Sequence, residues 1–208
     1  MGVPAPHGDR EGSRRIISGR GLGRRFGDHA VLSNVELEVE RGGFLLVTGP
    51  NGSGKTTLLR LLAGLLAPTA GTLEIHADRG RVGFLGHEAL LYRELTALEN
   101  LDLYGRLYRI PERRERTGML LERYGLWDAR GEQVSTFSRG MVQRLALCRT
   151  LLHDPELLLM DEPFSALDAE GAELLQAELA DRAGRTFVVA SHQPERIAAH
   201  ATERLALA

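Results

Sequence analysis

The chain is almost without lysine. Of its 26 basic residues, 25 are arginine and one is Lys55. Arginine carries a broad planar fork, whereas lysine is a compact point charge. A lone lysine placed at random among those 26 sites would reach a given one about one time in 26, so position 55 calls for lysine chemistry. Cysteine is equally scarce. Cys148 alone excludes an internal disulfide, fits a reducing compartment, and falls in an apolar helical pattern that marks it as core. No run of 18 apolar residues is present, which excludes a spanning helix. Met1 to Ser13 is polar, lacks the apolar stretch of a secretory signal, and reads as a disordered tail over residues 1–13. The net charge of −2 gives no global sign of a nucleic-acid partner. Arg14, Arg15, Arg20, Arg24 and Arg25 read as a solvated strand face in preference to a nucleic-acid patch. There are no internal repeats. At 208 residues, the chain can bury a core without disulfides or metals.

The lysine falls inside the most informative stretch. Gly49-Pro50-Asn51-Gly52-Ser53-Gly54-Lys55-Thr56-Thr57 fits the phosphate-loop pattern G-x-x-x-x-G-K-[ST]. An apolar run, Phe44 to Val47, precedes it as a buried strand, and Thr57 to Ala63 follows as a helix. Glycines let successive backbone N–H groups converge on phosphate oxygens, and the helix N-terminus adds partial positive charge there. Lys55 is expected to reach the β- and γ-phosphates, and Thr56 to hold Mg²⁺.

Before this loop, Ile16 to Arg24 reads as a weak strand, and Val31 to Glu40 alternates like a half-exposed antiparallel one. Phe26 lies between them beside the turn pair Gly27-Asp28, as core or as a surface to stack on adenine. Gly71 to Ile75 and Arg81 to Leu85 read as further strands. The pattern then turns helical. Thr96 and Glu99 make a capping box, Pro111 opens a second helix ended by Gly125, and Ser138 caps a third. With no strand signal between about residues 95 and 153, this stretch reads as a helical insert. Glu156 to Met160 and Thr186 to Ala190 are continuous apolar runs, as in a parallel sheet covered on both faces. Glu170 to Arg182 reads as a helix, and Arg204 to Leu207 as a last strand.

Polar residues stand where the apolar strands end, which is where open α/β sheets bind ligands. Asp161 suits a Mg²⁺ ligand and Glu162 a group that polarises the attacking water. His192 is placed to hydrogen-bond a γ-phosphate.

These motifs together resemble the ATP-binding cassette (ABC) ATPases, the nucleotide-binding subunits of membrane transporters, over about residues 15–208. The resemblance implies an α/β phosphate-loop NTPase fold of ABC type over residues 14–208. This would have a mixed sheet core, an antiparallel β subdomain, and a helical subdomain inserted between Q-loop and Walker B. Walker B is then Leu157 to Glu162, the D-loop Ser165-Ala166-Leu167-Asp168, and the switch histidine His192; Phe26 takes the place of the adenine-stacking aromatic. The signature motif, Leu-Ser-Gly-Gly-Gln in the family, reads Phe137-Ser138-Arg139-Gly140-Met141. Ser138 and Gly140 survive, and by resemblance they hold the γ-phosphate of an opposite chain in a head-to-tail homodimer. Arg139 and Met141 depart from the pattern and weigh against closure. At the Q-loop glutamine the alignment gives His87, and a shift of one residue gives Glu88. The implied setting is peripheral, on the cytoplasmic face of the inner membrane, against integral membrane subunits and with no nucleic acid. Ala89-Leu90-Leu91-Tyr92 is either a docking groove for such a subunit or ordinary packing against the helical insert.

Gly86-His87-Glu88, Glu94 to Leu101 and Phe137 to Met141 resemble more narrowly the ATPase subunit of the haem exporter in cytochrome c maturation. The short chain, with no C-terminal regulatory domain, agrees. Other small exporters of drugs, lipids or polysaccharides share much of this pattern. The altered signature motif leaves a further alternative, an ATP-gated assembly module with little turnover.

Overall fold

The apolar runs become strands whose two faces are both covered. In the computed structural model, which describes residues 14–182 and 184–208, the first strands are β1 (Arg15–Phe26), β2 (His29–Glu40) and β3 (Phe44–Thr48). Helix α1 (Lys55–Leu62) leads to β4 (Ala70–Ile75) and β5 (Val82–Leu85). Three helices follow, α2 (Ala97–Leu107), α3 (Arg113–Arg123) and α4 (Arg139–Leu151). The chain then runs through β6 (Leu157–Asp161), α5 (Ala169–Ala180), β7 (Thr186–Ala190) and β8 (Glu203–Ala206). The tail expected over residues 1–13 lies outside the described residues.

A five-stranded sheet, in the order β5-β6-β7-β3-β8, is parallel at every pairing. A separate antiparallel sheet has the order β2-β1-β4. The antiparallel β subdomain expected from the sequence is thus the second sheet, and the core sheet expected to be mixed is wholly parallel. Alternation along the parallel strands gives each face its own partner. Phe44, Leu46, Leu158, Met160, Phe187 and Val189 face the helices α2 to α5. Leu45, Val47, Leu157, Leu159, Val188 and Ala190 face α1 and the antiparallel sheet. Each fully buried aliphatic side chain contributes about 1.5–3 kcal/mol, and both faces have a partner, so neither needs polar residues.

The helix signals hold, with bounds shifted by up to two residues at Lys55–Leu62, Arg113–Arg123 and Ala169–Ala180. Thr96 and Glu99 form both bonds of the capping box. Ser138 Oγ accepts from Met141 N–H at 3.2 Å. The second helix starts at Arg113 rather than Pro111, since Glu112 has non-helical φ and ψ of −99° and 36°; Arg113 pairs with Asp102 at 2.7 Å and packs over Gly105. After α2, Tyr108 stacks on His153, with ring centroids 4.0 Å apart. The His153 Nε2 lies 3.1 Å from the Val82 carbonyl, which can only accept, so Nε2 carries the proton. Burial lowers the His153 pKa to about 4.

Candidate nucleotide site

Most of the sequence-selected polar residues outside the helical segment and the β1–β2 hairpin stand at or follow C-terminal ends of the parallel strands; Asp168 instead caps α5. Gly49 follows β3, Asp161 ends β6 with Glu162 next, Ser191 and His192 follow β7, and His87 follows β5 by one glycine. The strand order brings these ends side by side.

The loop from Gly49 to Gly54 needs backbone that side chains resist. Gly49, Gly52 and Gly54 have φ of 147°, 86° and 93°. A Cβ on Gly54 would lie 2.7 Å from Leu32 Cδ2, and one on Gly49 would lie 2.5 Å from the Leu207 carbonyl oxygen. Glycine here permits both the left-handed turn and the close approach. Lys55 is 7% exposed, and its ammonium donates to the carbonyls of Gly49 at 2.8 Å and Pro50 at 3.0 Å. The loop thus curls around one positive charge. The Ser53 hydroxyl is buried there with no hydrogen-bond partner among the described residues.

Thr56 Oγ1 donates to Asp161 Oδ2 at 2.6 Å, joining the start of α1 to the end of β6. Hydroxyl and carboxylate oxygens are hard donors that suit Mg²⁺. Among the described residues, no cluster of three or more His, Cys, Asp or Glu side chains could hold a metal alone. The residues therefore fit a Mg²⁺ ion that shares its coordination with phosphate oxygens, as Mg²⁺ commonly does.

Glu162 breaks the strand with φ of 49°, a left-handed conformation that costs a non-glycine residue about 1–2 kcal/mol. Its N–H is held by the Ala190 carbonyl at 2.9 Å. Its Oε2 accepts from His192 Nδ1 at 2.6 Å and from His192 N–H at 3.2 Å. One carboxylate oxygen thus takes both bonds and Oε1 is left over. The structure pairs these two residues directly, a contact the sequence reading had not drawn.

His87 and Glu88 are both exposed and both line a cleft of about 130 Å³ with Thr56, Arg60 and Phe84. Ala89 to Tyr92 continue into a larger groove of about 770 Å³, walled opposite by Phe137, Arg139 and Val142. The backbone of this segment is tied to α2: Asn100 Oδ1 accepts from Tyr92 N–H, and Tyr104 donates to the Leu90 carbonyl. Leu90 and Tyr92 nevertheless stay about half exposed. Asn100 entered the sequence reading only within Glu94 to Leu101; its spacing with Ala97 and Leu101 on one face of a capped helix was the available signal, and the structure shows it fully buried.

Ser138 and Arg139 are exposed at the opening of α4, whereas Phe137 is buried. Gly140 packs so closely on the D-loop segment that a Cβ would lie 3.0 Å from Asp168 Oδ2. Phe26 is the last residue of β1 and 47% exposed, not core. The Arg24 guanidinium covers one face of its ring at 4.5 Å. Val31 and Leu32 of the paired strand touch Gly54, so the hairpin tip carrying Phe26 projects beside the loop.

A glycine loop at the switch of a parallel sheet, joined to a carboxylate-terminated strand, defines a phosphate-loop NTPase cassette. Residues 32–165 match the ABC transporter family model, and the chain belongs to that family. It is 43% identical over 162 residues to the daunorubicin resistance ATP-binding protein DrrA3 of Streptomyces coeruleorubidus, covering 73% of this chain and 51% of that protein. It is 36% identical over 205 residues to the Nod factor export ATP-binding protein I of Ralstonia nicotianae, covering 92% and 64%. The chain thus spans about half to two-thirds of the length of these curated relatives. The dimeric post-hydrolysis structure of the ATP-binding cassette MJ0796, bound to ADP and Pi, superposes with a TM-score of 0.79 at 29% identity, covering 92% of this chain and 94% of that one.

Proposed function

We propose that this chain hydrolyses ATP to drive a membrane transporter. The observation that carries the reading is the Thr56–Asp161 hydrogen bond, which sets the phosphate loop beside the Glu162–His192 pair. The backbone amides of Gly49 to Thr57 and the Lys55 ammonium would bind the phosphates, and Phe26 would stack on adenine. Thr56 and Asp161 would hold Mg²⁺, which neutralises phosphate charge when bound. Glu162 keeps Oε1 for the attacking water while His192 fixes Oε2, so the carboxylate is oriented as a base before substrate arrives. With ATP bound, His192 would turn its ring N–H to the γ-phosphate, and His87 or Glu88 lines the cleft beside Thr56.

Ser138 and Gly140 would act on the nucleotide of a second copy in a head-to-tail dimer, with Asp168 at the same interface. That the MJ0796 cassette is dimeric supports a dimer here. The helices over about residues 95–153 form the helical subdomain of a single cassette over 14–208. The groove along Ala89 to Tyr92 would dock the membrane subunit, because its side chains remain open although its backbone is secured. No helix among the described residues is long and apolar enough to cross a membrane. The proposed setting, on the resemblance to transporter ATPase subunits, is peripheral, on the cytoplasmic face. Replacing Glu162 by Gln should abolish steady-state phosphate release and trap an ATP-bound dimer; undiminished release would remove Glu162 from its role. A wild type without turnover, even beside its membrane subunits, would instead favour an ATP-gated assembly module.

For cargo we propose haem, in cytochrome c maturation, on the combined pattern of Gly86-His87-Glu88, Glu94 to Leu101 and Phe137 to Met141. A second reading, export of another small molecule, is favoured by relatives named for daunorubicin resistance and Nod factor export. A haem stain of c-type cytochromes separates them. In cells lacking this chain the bands should vanish, and wild type but not Lys55→Ala should restore them. Bands that persist would leave the ATPase and discard haem.

A further inference from the structure

Arg144 lies in the interior of α4 with a side chain only 9% exposed. Its guanidinium gathers three segments. Nη1 donates to the Tyr124 carbonyl beyond α3 at 3.2 Å and to Glu170 Oε2 in α5 at 3.1 Å. Nη2 donates to Asp168 Oδ2 at 3.4 Å. The other Asp168 oxygen caps α5 by accepting from Gly171 N–H at 2.9 Å. Both carboxylate oxygens of Asp168 are therefore directed into their own chain. Glycines make the approach possible. Beyond the contact at Gly140, a Cβ on Gly171 would lie 3.2 Å from Arg144 Cγ, and one on Gly125 3.1 Å from Nη1.

Stability alone does not account for this arrangement. The carboxylates of Asp168 and Glu170 are 48% and 66% exposed, and ion pairs so close to solvent contribute little. Arg144 Nε is buried with no partner among the described residues, a cost that an apolar residue would avoid. What the planar fork supplies is geometry: several donors in fixed directions, which lysine cannot reproduce.

We propose that Arg144 is a positioning residue that locks the turn Ser138–Gly140 to the segment ending in Asp168. The two surfaces offered to a partner's nucleotide then move as one body. This rests on the head-to-tail dimer proposed above. A chain without the fork would bind ATP normally and close poorly, because two loosely related surfaces must be ordered at the moment of association.

The test uses Glu162→Gln as the parent, with Arg144→Met and Arg144→Lys added singly. Three quantities are followed: ATP-dependent dimerisation by light scattering, mant-ATP affinity of the monomer, and thermal melting. Arg144→Met should weaken ATP-driven dimerisation at least tenfold while mant-ATP affinity changes less than twofold. Arg144→Lys should fall between, and it decides the matter if the methionine variant does not fold. Parent-like dimerisation of the lysine variant, or nucleotide affinity falling in step with dimerisation, overturns the proposal. A parent that dimerises while its Arg144 variants match it discards only the lock. A parent that never dimerises discards the dimer reading and the lock with it.

Discussion

Acidification should loosen the joint between α2 and the sheet at His153. With Nε2 donating to Val82, protonation would have to occur at Nδ1, which is buried with no partner among the described residues. Burial is the largest cause of the lowered pKa; Arg149 and Arg116 add to it, while the Val82 contact and Asp154 oppose it. An unfolded histidine titrates near 6.5, and the folded one at about 4. In that window the unfolded chain binds a proton that the folded chain does not. Stability from this group is thus complete above about pH 6.5 and is lost as pH falls toward 4. At pH 5 the gap of about 1.5 units below the unfolded value corresponds to about 2 kcal/mol. Urea unfolding at pH 7 and pH 5 measures it, comparing wild type with His153→Gln, which keeps a donor for Val82. Wild type should lose about 2 kcal/mol more than the variant over this interval. Equal losses in the two proteins would refute the assignment.

Lys55→Arg should lower ATP turnover by about 100-fold or more, since the loop closes around a compact ammonium; retention of half the rate in a phosphate-release assay would contradict this. Phe26→Ala should weaken ATP binding by about tenfold, in line with loss of one stacked base, and Phe26→Tyr should restore it; an unchanged Kd in titration calorimetry would leave Phe26 without that role. Gly54→Ala should cost about 2 kcal/mol in chemical unfolding, because a Cβ would meet Leu32 and Val31 in a left-handed turn. A loss under about 0.5 kcal/mol would show that the loop relaxes.

The strand ends were legible because chemistry and periodicity coincide there. Asp161 and His192 each stop an apolar run, and a run buried on both faces has only its end free for polar work. The capping box at Thr96 was equally plain, since both of its bonds are local. What depends on distant partners was not. Nothing in the spacing of Arg144 and Asp168 announces their contact, and no pattern foretells the left-handed backbone at Glu162 that accompanies its contact with His192. Pro111 fitted the first position of a helix, yet the helix starts two residues later, after a non-helical Glu112. The choice between His87 and Glu88 stays open for a similar reason: neighbouring residues at a bend line the same cleft, and order along the chain does not rank them.

The curled phosphate loop has a practical corollary. The chain's sole ε-amine is 7% exposed and hydrogen-bonded to two carbonyls. An amine-selective acylating reagent therefore has one side-chain target, and that target sits where the phosphates would bind. Its labelling rate, read by intact-mass spectrometry, becomes a footprint of loop occupancy. Nucleotide protection could then be followed within a crowded membrane assembly, on the unmodified protein and without an engineered probe.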